Sequence, residues 1–176
     1  VERISHVLNH PVELRSEANK GSCFSVELPR SADMPDLVPI PQAPTMAGQL
    51  DGLCVVAIDN EPDILSGMRH LLTNWNCKVI AAADDVEAAN ELSKAGLTPD
   101  VILADYHLDN GTGIEAILKL RWKFGRQIPA ILITADRSRP VRTEAEEKDI
   151  AFFNKPLKPA ALRAHLARCQ AGQAAE

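Results

Sequence analysis

Between residues 52 and 171 the sequence alternates short, unbroken apolar runs with stretches of helical periodicity, and nothing else in the chain constrains the fold as strongly. Leu53-Cys54-Val55-Val56-Ala57-Ile58 is the first run. It lacks the apolar/polar alternation of a strand with one wet face, so it reads as a strand buried on both faces of a parallel sheet. Pro62 follows at a helix N1 position, where its missing N–H costs nothing. Ile64, Leu65, Met68, Leu71, Leu72 and Trp75 then recur at helical spacing. Lys78 to Ala82 reads as a second strand, and Asp84 or Asp85 caps a helix running to about Lys94. Val101 to Ala104 is the third strand. Thr112 and Glu115 spell a capping box ahead of the stripe Ile114, Ile117, Leu118. Ala130 to Ile133 is the fourth strand, followed by a helical segment at 137–148 with Val141 and Ala145 as its main apolar anchors. Ala151-Phe152-Phe153 is a short fifth strand, and Pro159 opens a last helix carrying Leu162 and Leu166.

Strands alternating with helices of this length imply an α/β architecture, a doubly wound parallel sheet with helices on both faces. Such sheets bind ligands beyond the carboxyl ends of their strands. The residues there are Asp59-Asn60-Glu61, Asp105, Thr134-Ala135 and Asn154-Lys155-Pro156. One topological rule thus gathers acids, a hydroxyl and a lysine on one edge. Carboxylates crowded together repel unless a cation intervenes. Hard oxygen ligands of this kind suit Mg²⁺, which keeps several waters. An ammonium such as Lys155 meets phosphoryl oxygens, and an Asp carboxylate is a competent nucleophile towards phosphorus. The chemistry these parts fit is phosphoryl transfer to an Asp.

The rest of the chain divides by composition. Residues 30–51 carry Pro35, Pro39, Pro41 and Pro44 among small and polar residues, the make-up of a semi-rigid linker. Residues 1–29 pattern as a helix end at Ile4 to Leu8 and two strands, Val12 to Ser16 and Ser22 to Pro29, turning through Ala18-Asn19-Lys20-Gly21. Residues 172–176 form a tail. The net charge of −5 and pI near 5.6, with no Lys/Arg cluster, argue against nucleic acid as a direct partner. No apolar run approaches the roughly 18 residues of a membrane span, and no secretory leader is visible. Cys23, Cys54, Cys77 and Cys169 form no C-x-x-C pair, so zinc and redox motifs have no support and a reducing, cytoplasmic setting is expected. The chain opens on Val1, as expected of a piece of a longer protein.

Residues 52–171 resemble a receiver domain of two-component signalling. The resemblance rests on Ile58-Asp59-Asn60-Glu61-Pro62, Pro99-Asp100, Asp105-Tyr106-His107-Leu108, Leu132-Ile133-Thr134-Ala135 and Lys155-Pro156, all in order and register. It implies the flavodoxin-like chemotaxis-receiver fold, with five strands in the order 2-1-3-4-5. It also implies Mg²⁺ as cofactor and a set of roles. Asp105 is then the phosphoacceptor, and Asp59 the first metal-binding acid. His107 supplies a backbone carbonyl to the metal, while Thr134 and Ala135 follow the phosphoryl group. Lys155 contacts that group, and Phe152 is the aromatic whose rotamer reports activation. Asn60 stands where the family has a second acid. Its amide offers an oxygen without charge, which weakens its claim as a metal ligand. Asp109 stands where the family often has Pro. The first 29 residues are similar to the last helix and closing hairpin of a histidine-kinase ATP-binding domain, with Gly21 at the end of its last glycine box.

Kinase tail, linker and receiver in that order imply the C-terminus of a hybrid histidine kinase. The partners would be a kinase phosphohistidine domain or a histidine phosphotransfer protein, with no membrane contact from this segment. The segment itself lacks the other nucleotide-binding boxes, so no kinase activity is expected of it. Asn60 keeps open a second reading, a degenerate receiver that serves only as a protein-interaction module. A flavodoxin-like ligand-binding domain has less support, because no Gly-rich phosphate cradle follows the first strand. The side chains of His107 and His165 read as loop and helix residues, and Trp75 and Trp122 as core or boundary residues.

Overall fold

The structure is a computed structural model that describes residues 10–17, 21–28, 50–136 and 138–173. The chain divides into two compact units, Val1–Thr45 and Met46–Glu176, each taken by itself.

In the first unit β1 (Val12–Glu17) pairs antiparallel with β2 (Gly21–Val26). The register sets Val12 opposite Val26 and Leu14 opposite Phe24. Because side chains alternate along a strand, these four share one face of the ribbon, and Phe24 is 68% exposed. The second strand stops at Val26, short of the expected Pro29. The expected helix end at Ile4 to Leu8, the turn at Ala18 to Lys20, residues 29–49 and the last three residues of the tail lie outside the described residues.

The second unit is built on a five-stranded parallel sheet. Its strands are β3 (Cys54–Ile58), β4 (Lys78–Ala82), β5 (Val101–Asp105), β8 (Ala130–Thr134) and β9 (Ala151–Asn154), in spatial order β4-β3-β5-β8-β9. Counted within the sheet this is 2-1-3-4-5, as expected. The central strands β3, β5 and β8 are buried along their whole length, whereas β4 and β9 at the edges are half-covered. Successive residues serve opposite faces. Val56, Ile102 and Leu132 pack with Ala88, Leu92, Ile117, Leu120, Val141 and Ala145. Val55, Leu103 and Ile131 pack with Leu72, Leu162 and Leu166. Two covered faces explain why the runs are continuous rather than alternating.

The helices begin and end where local chemistry stops or starts them. Helix α1 (Pro62–Thr73) has Pro in its first turn. Helix α2 (Asp85–Ala95) is capped by Asp84, which accepts the Glu87 N–H at 2.8 Å, and ends on Gly96 at φ 63°. Helix α3 (Gly113–Phe124) has the expected capping box between Thr112 and Glu115 and ends on Gly125 at φ 61°. Helix α4 (Arg139–Glu147) has no side-chain cap and buries only Val141 and Ala145. Helix α5 (Pro159–Gln173) closes the unit. Between β5 and α3 a small antiparallel hairpin, β6 (His107–Leu108) and β7 (Gly111–Thr112), forms a separate ribbon.

Two expectations on α3 are corrected. Trp122 is 87% exposed and Leu118 is 37% exposed. The inward face of α3 is Ile114, Ile117, Leu120 and Arg121. Arg121 holds the inward place because its guanidinium donates to three backbone carbonyls: Ile128 at 2.9 Å, Lys148 at 2.7 Å and Asp149 at 2.9 Å. Trp75 is partly buried, as expected, with Arg163 lying 5.8 Å over its ring.

Candidate functional site

Register builds the site. Ile58 of β3 lies beside Ala104 of β5, so Asp59 and Asp105, one residue further on, meet at the carboxyl edge. Both are buried, at 6% and 8% exposure. Lys155 follows β9, and its backbone N–H donates to the Thr134 carbonyl at 2.8 Å, which ties the base of the lysine to β8. From there its Nζ reaches Asp105 Oδ1 at 3.0 Å and Asp59 Oδ2 at 3.4 Å. The other Asp59 oxygen accepts the Glu61 N–H at 2.9 Å. That bond orients the acid and uses Glu61 through its backbone, while its side chain stays exposed. Partial burial pushes the Lys155 ammonium down. The hydrogen bond and charge of Asp105, and then the charge of Asp59, outweigh it, and the net shift is upward.

One ammonium shared by two buried carboxylates leaves negative charge over. That surplus is the observation by which Mg²⁺ fits. Among the described residues no three His, Cys, Asp or Glu side chains stand as a preformed metal cluster. A hard cation taken up here would rest on the two carboxylates, completed by neutral oxygens and water. Asn60 Oδ1 and the His107 backbone carbonyl are the neighbouring neutral oxygens in the chain. The Asn60 Nδ2–H donates to Asp109 Oδ1 at 2.8 Å. The His107 imidazole is exposed and stands edge-on to Tyr106 at 4.8 Å and 76°; it is solvent-facing as expected, but it sits in the β6 hairpin rather than in a loop.

The hydroxyl and the aromatic sit further back. Thr134 is fully buried, and its Oγ1 accepts the Asp136 N–H at 3.0 Å. Asp136 Oδ1 in turn accepts the Ser138 N–H at 2.7 Å, just before α4. That bond, its main cause, holds the Asp136 carboxyl below its ordinary value. Ala135 between them is exposed. Phe152 is half-buried against the cluster that includes Val141 and Ala145 of α4, on the far side of β8 from the acids. An apolar cleft of about 280 Å³ opens beside the acids, lined among others by Ile64, Met68, Leu157 and Lys155.

The structure thus brings Asp59, Asp105 and Lys155 into direct contact. It joins Thr134 to them through the Lys155 backbone and leaves Phe152 and the His107 side chain outside. Spacing did not reveal three further residues. Asp109 holds Asn60, and Asp136 holds the Thr134 hydroxyl. At Gly113 a Cβ would collide with the Asp105 carbonyl, so only glycine lets α3 start this close to the strand end. The Gly113 N–H donates to the Tyr106 carbonyl at 3.0 Å in that approach.

Residues 55–167 match the family described as response regulator receiver domain. The cyclic di-GMP phosphodiesterase response regulator RpfG of Xanthomonas campestris pv. campestris (strain 8004) is 32% identical over 117 residues, 64% of this chain and 30% of that protein. The phosphate regulon transcriptional regulatory protein PhoB of Escherichia coli (strain K12) is 30% identical over 118 residues, 64% of this chain and 49% of that protein. The chain therefore matches half or less of the length of these curated relatives. Among solved structures, chemotaxis protein CheY4 of Vibrio cholerae aligns with a TM-score of 0.59 at 27% identity, covering 67% of this chain and 98% of that one. In the described residues no helix is long and apolar enough to cross a membrane.

Proposed function

The chain belongs to the response regulator receiver family, and on that premise we propose that Asp105 accepts a phosphoryl group from a phosphohistidine in a two-component phosphorelay. The observation that carries this reading is the Lys155 ammonium placed between the Asp105 and Asp59 carboxylates. A carboxylate oxygen of Asp105 attacks phosphorus. An O–P bond forms, the P–N bond to the donor imidazole breaks, and its electron pair returns to the ring nitrogen. Lys155, at 3.0 Å from Asp105 Oδ1, balances the negative charge that collects on the transferred oxygens. Asp59, Asp105, the Asn60 amide oxygen and the His107 backbone carbonyl would hold Mg²⁺. When bound, the ion would neutralise charge on the phosphoryl oxygens and on the two acids. The surrounding burial keeps the carboxylates poorly hydrated and ready to react.

The same reading gives Thr134 its role. Its hydroxyl accepts the Asp136 N–H and keeps its own hydrogen to donate to a phosphoryl oxygen, so a move of Thr134 toward that oxygen would pull on Asp136, which is bonded to Ser138 at the start of α4. Loss of that bond loosens α4, which is held by two buried residues and packs near Phe152. The proposal places this receiver in a cytoplasmic hybrid histidine kinase, after a kinase hairpin at β1–β2 and the Pro-rich linker. Its partners are then a phosphohistidine domain or a histidine phosphotransfer protein. Incubation with acetyl phosphate and Mg²⁺, followed by intact mass, tests the reading. One phosphoryl group should add to the native chain and none to Asp105→Asn. A native chain that gains nothing under these conditions leaves only the interaction-module reading.

A further inference from the structure

Asn60 lacks the charge of the acid it replaces, and its surroundings act on what remains. We propose that Asp109 is a positioning residue of the cation site: by taking the Asn60 Nδ2–H, its carboxylate reserves the Asn60 oxygen for a hard cation. The inference rests on the phosphoacceptor reading above.

An Asn side chain carries a donor end and an acceptor end on one planar group, so committing one end fixes the other. Beside two buried carboxylates the donor end is the attractive one. Left alone, the Asn60 amide would turn its NH₂ group toward Asp59 and Asp105 and set a donor where a cation needs an acceptor. Asp109 removes that option. Ionised, it only accepts, and its 2.8 Å bond to Nδ2 has the length of a charge-assisted contact.

Asp109 is itself held. The pairs His107 with Thr112 and Leu108 with Gly111 leave Asp109-Asn110 as the two-residue tip of the β6–β7 hairpin. Gly111, at φ 101°, lies so close to the Glu115 carboxylate that a Cβ there would collide with it. Glu115 accepts the Thr112 N–H at 3.0 Å, which anchors the far leg of the hairpin to α3. Only Tyr106 separates the near leg from Asp105. The carboxylate that sets Asn60 is therefore carried by a loop tied to the site at one end and to α3 at the other.

Titration of the full chain with MgCl₂ by calorimetry, in the native protein and in Asp109→Ala and Asp109→Asn, tests this. The amide introduced by Asp109→Asn can still accept from Asn60 through its oxygen, whereas the methyl group left by Asp109→Ala cannot. We expect Asp109→Ala to weaken Mg²⁺ binding about three- to tenfold, the size of one hydrogen bond, and Asp109→Asn to stay within about twofold. In an Asn60→Asp background Asp109→Ala should cause no weakening, because a carboxylate has no donor end to misplace. Asp109 is exposed, so within each background its substitution should leave the melting temperature unchanged. Equal affinity of Asp109→Ala and the native chain would overturn the proposal. So would equal weakening by the two substitutions, which would make Asp109 a source of charge rather than of orientation. A native chain that neither binds Mg²⁺ nor gains a phosphoryl group would instead bring down the phosphoacceptor reading, and this inference with it.

Discussion

Two buried polar clusters occupy opposite ends of the parallel sheet, and they are built on opposite terms. At the amino end Arg121 spreads its guanidinium over the carbonyls of Ile128, Lys148 and Asp149, which lead into β8 and β9. Every partner is an uncharged acceptor, and one cation satisfies all of them. At the carboxyl end Lys155 faces two carboxylates and neutralises one charge of the pair. The first cluster is closed: it needs nothing from outside and ties α3 to the segments ahead of two strands. The second is open, because its surplus charge is relieved only by an incoming cation. A satisfied buried cluster is a structural device, and we read the open one as the place where the molecule meets its substrate.

The closed end is the easier of the two to disrupt. Arg121→Met keeps the bulk and orphans three carbonyls. We expect a loss of about 3 kcal/mol in urea unfolding, with the folded fraction still taking one phosphoryl group. Loss of labelling per folded molecule would mean that the amino-end cluster also serves the chemistry. The next largest effect belongs to the open end. Asn60→Asp adds the charge the site lacks and should tighten Mg²⁺ by about 1–2 kcal/mol. Its metal-free melting temperature should fall, because a further carboxylate joins Asp59 and Asp105. Unchanged or weaker Mg²⁺ affinity would remove Asn60 from the ligand set. Lys155→Ala should cut the rate of labelling about tenfold or more while Mg²⁺ still binds, on the proposal that the lysine meets the phosphoryl group and not the metal. Collapse of Mg²⁺ affinity would reverse that division of roles.

The pH dependence of stability follows from the same groups. The folded Lys155 pKa is raised, so its contribution is complete below its ordinary value of 10.5 and disappears only as pH climbs through the folded value. Burial, the leading cause, pushes the Cys54 and Cys77 thiols up to about 11 from 9.0. Between those values the folded chain keeps protons that the unfolded chain has lost, so stability falls as pH rises. These groups leave stability flat from pH 7 to about 9 and erode it above, which denaturation at stepped pH would show. A loss centred near neutrality would contradict it. The smallest effect is expected at Trp122→Gln, where an 87% exposed ring has little packing to lose, with a change within about 0.5 kcal/mol.

The fold was legible because its central strands are buried on both faces, so runs such as Val101 to Ala104 carry no competing helical pattern. The observed β5, β8 and β9 each run one residue past their apolar run, to Asp105, Thr134 and Asn154. Backbone pairing continues regardless of the side chain it carries. The buried face of α3 departs from its apolar stripe for a similar reason. Leu118 and Trp122 look like core by type, but the carbonyls of Ile128, Lys148 and Asp149 needed donors, and Arg121 turned inward to supply them. Asp59, Asp105 and Lys155 were legible from one topological rule. The Asn60 contact with Asp109 was not, because it joins two loops through side chains whose meeting no spacing encodes.

If the open cluster makes Asp105 the nucleophile, mapping the labelled position will show it. The native chain would be labelled with acetyl phosphate and Mg²⁺, reduced with borohydride and digested. Reduction converts an aspartyl phosphate to homoserine, which marks the labelled position in the peptide spectrum. Homoserine is expected at position 105 and nowhere else. Homoserine in place of Asp59, or a stable phosphoryl group on Thr134 or a histidine, would contradict it.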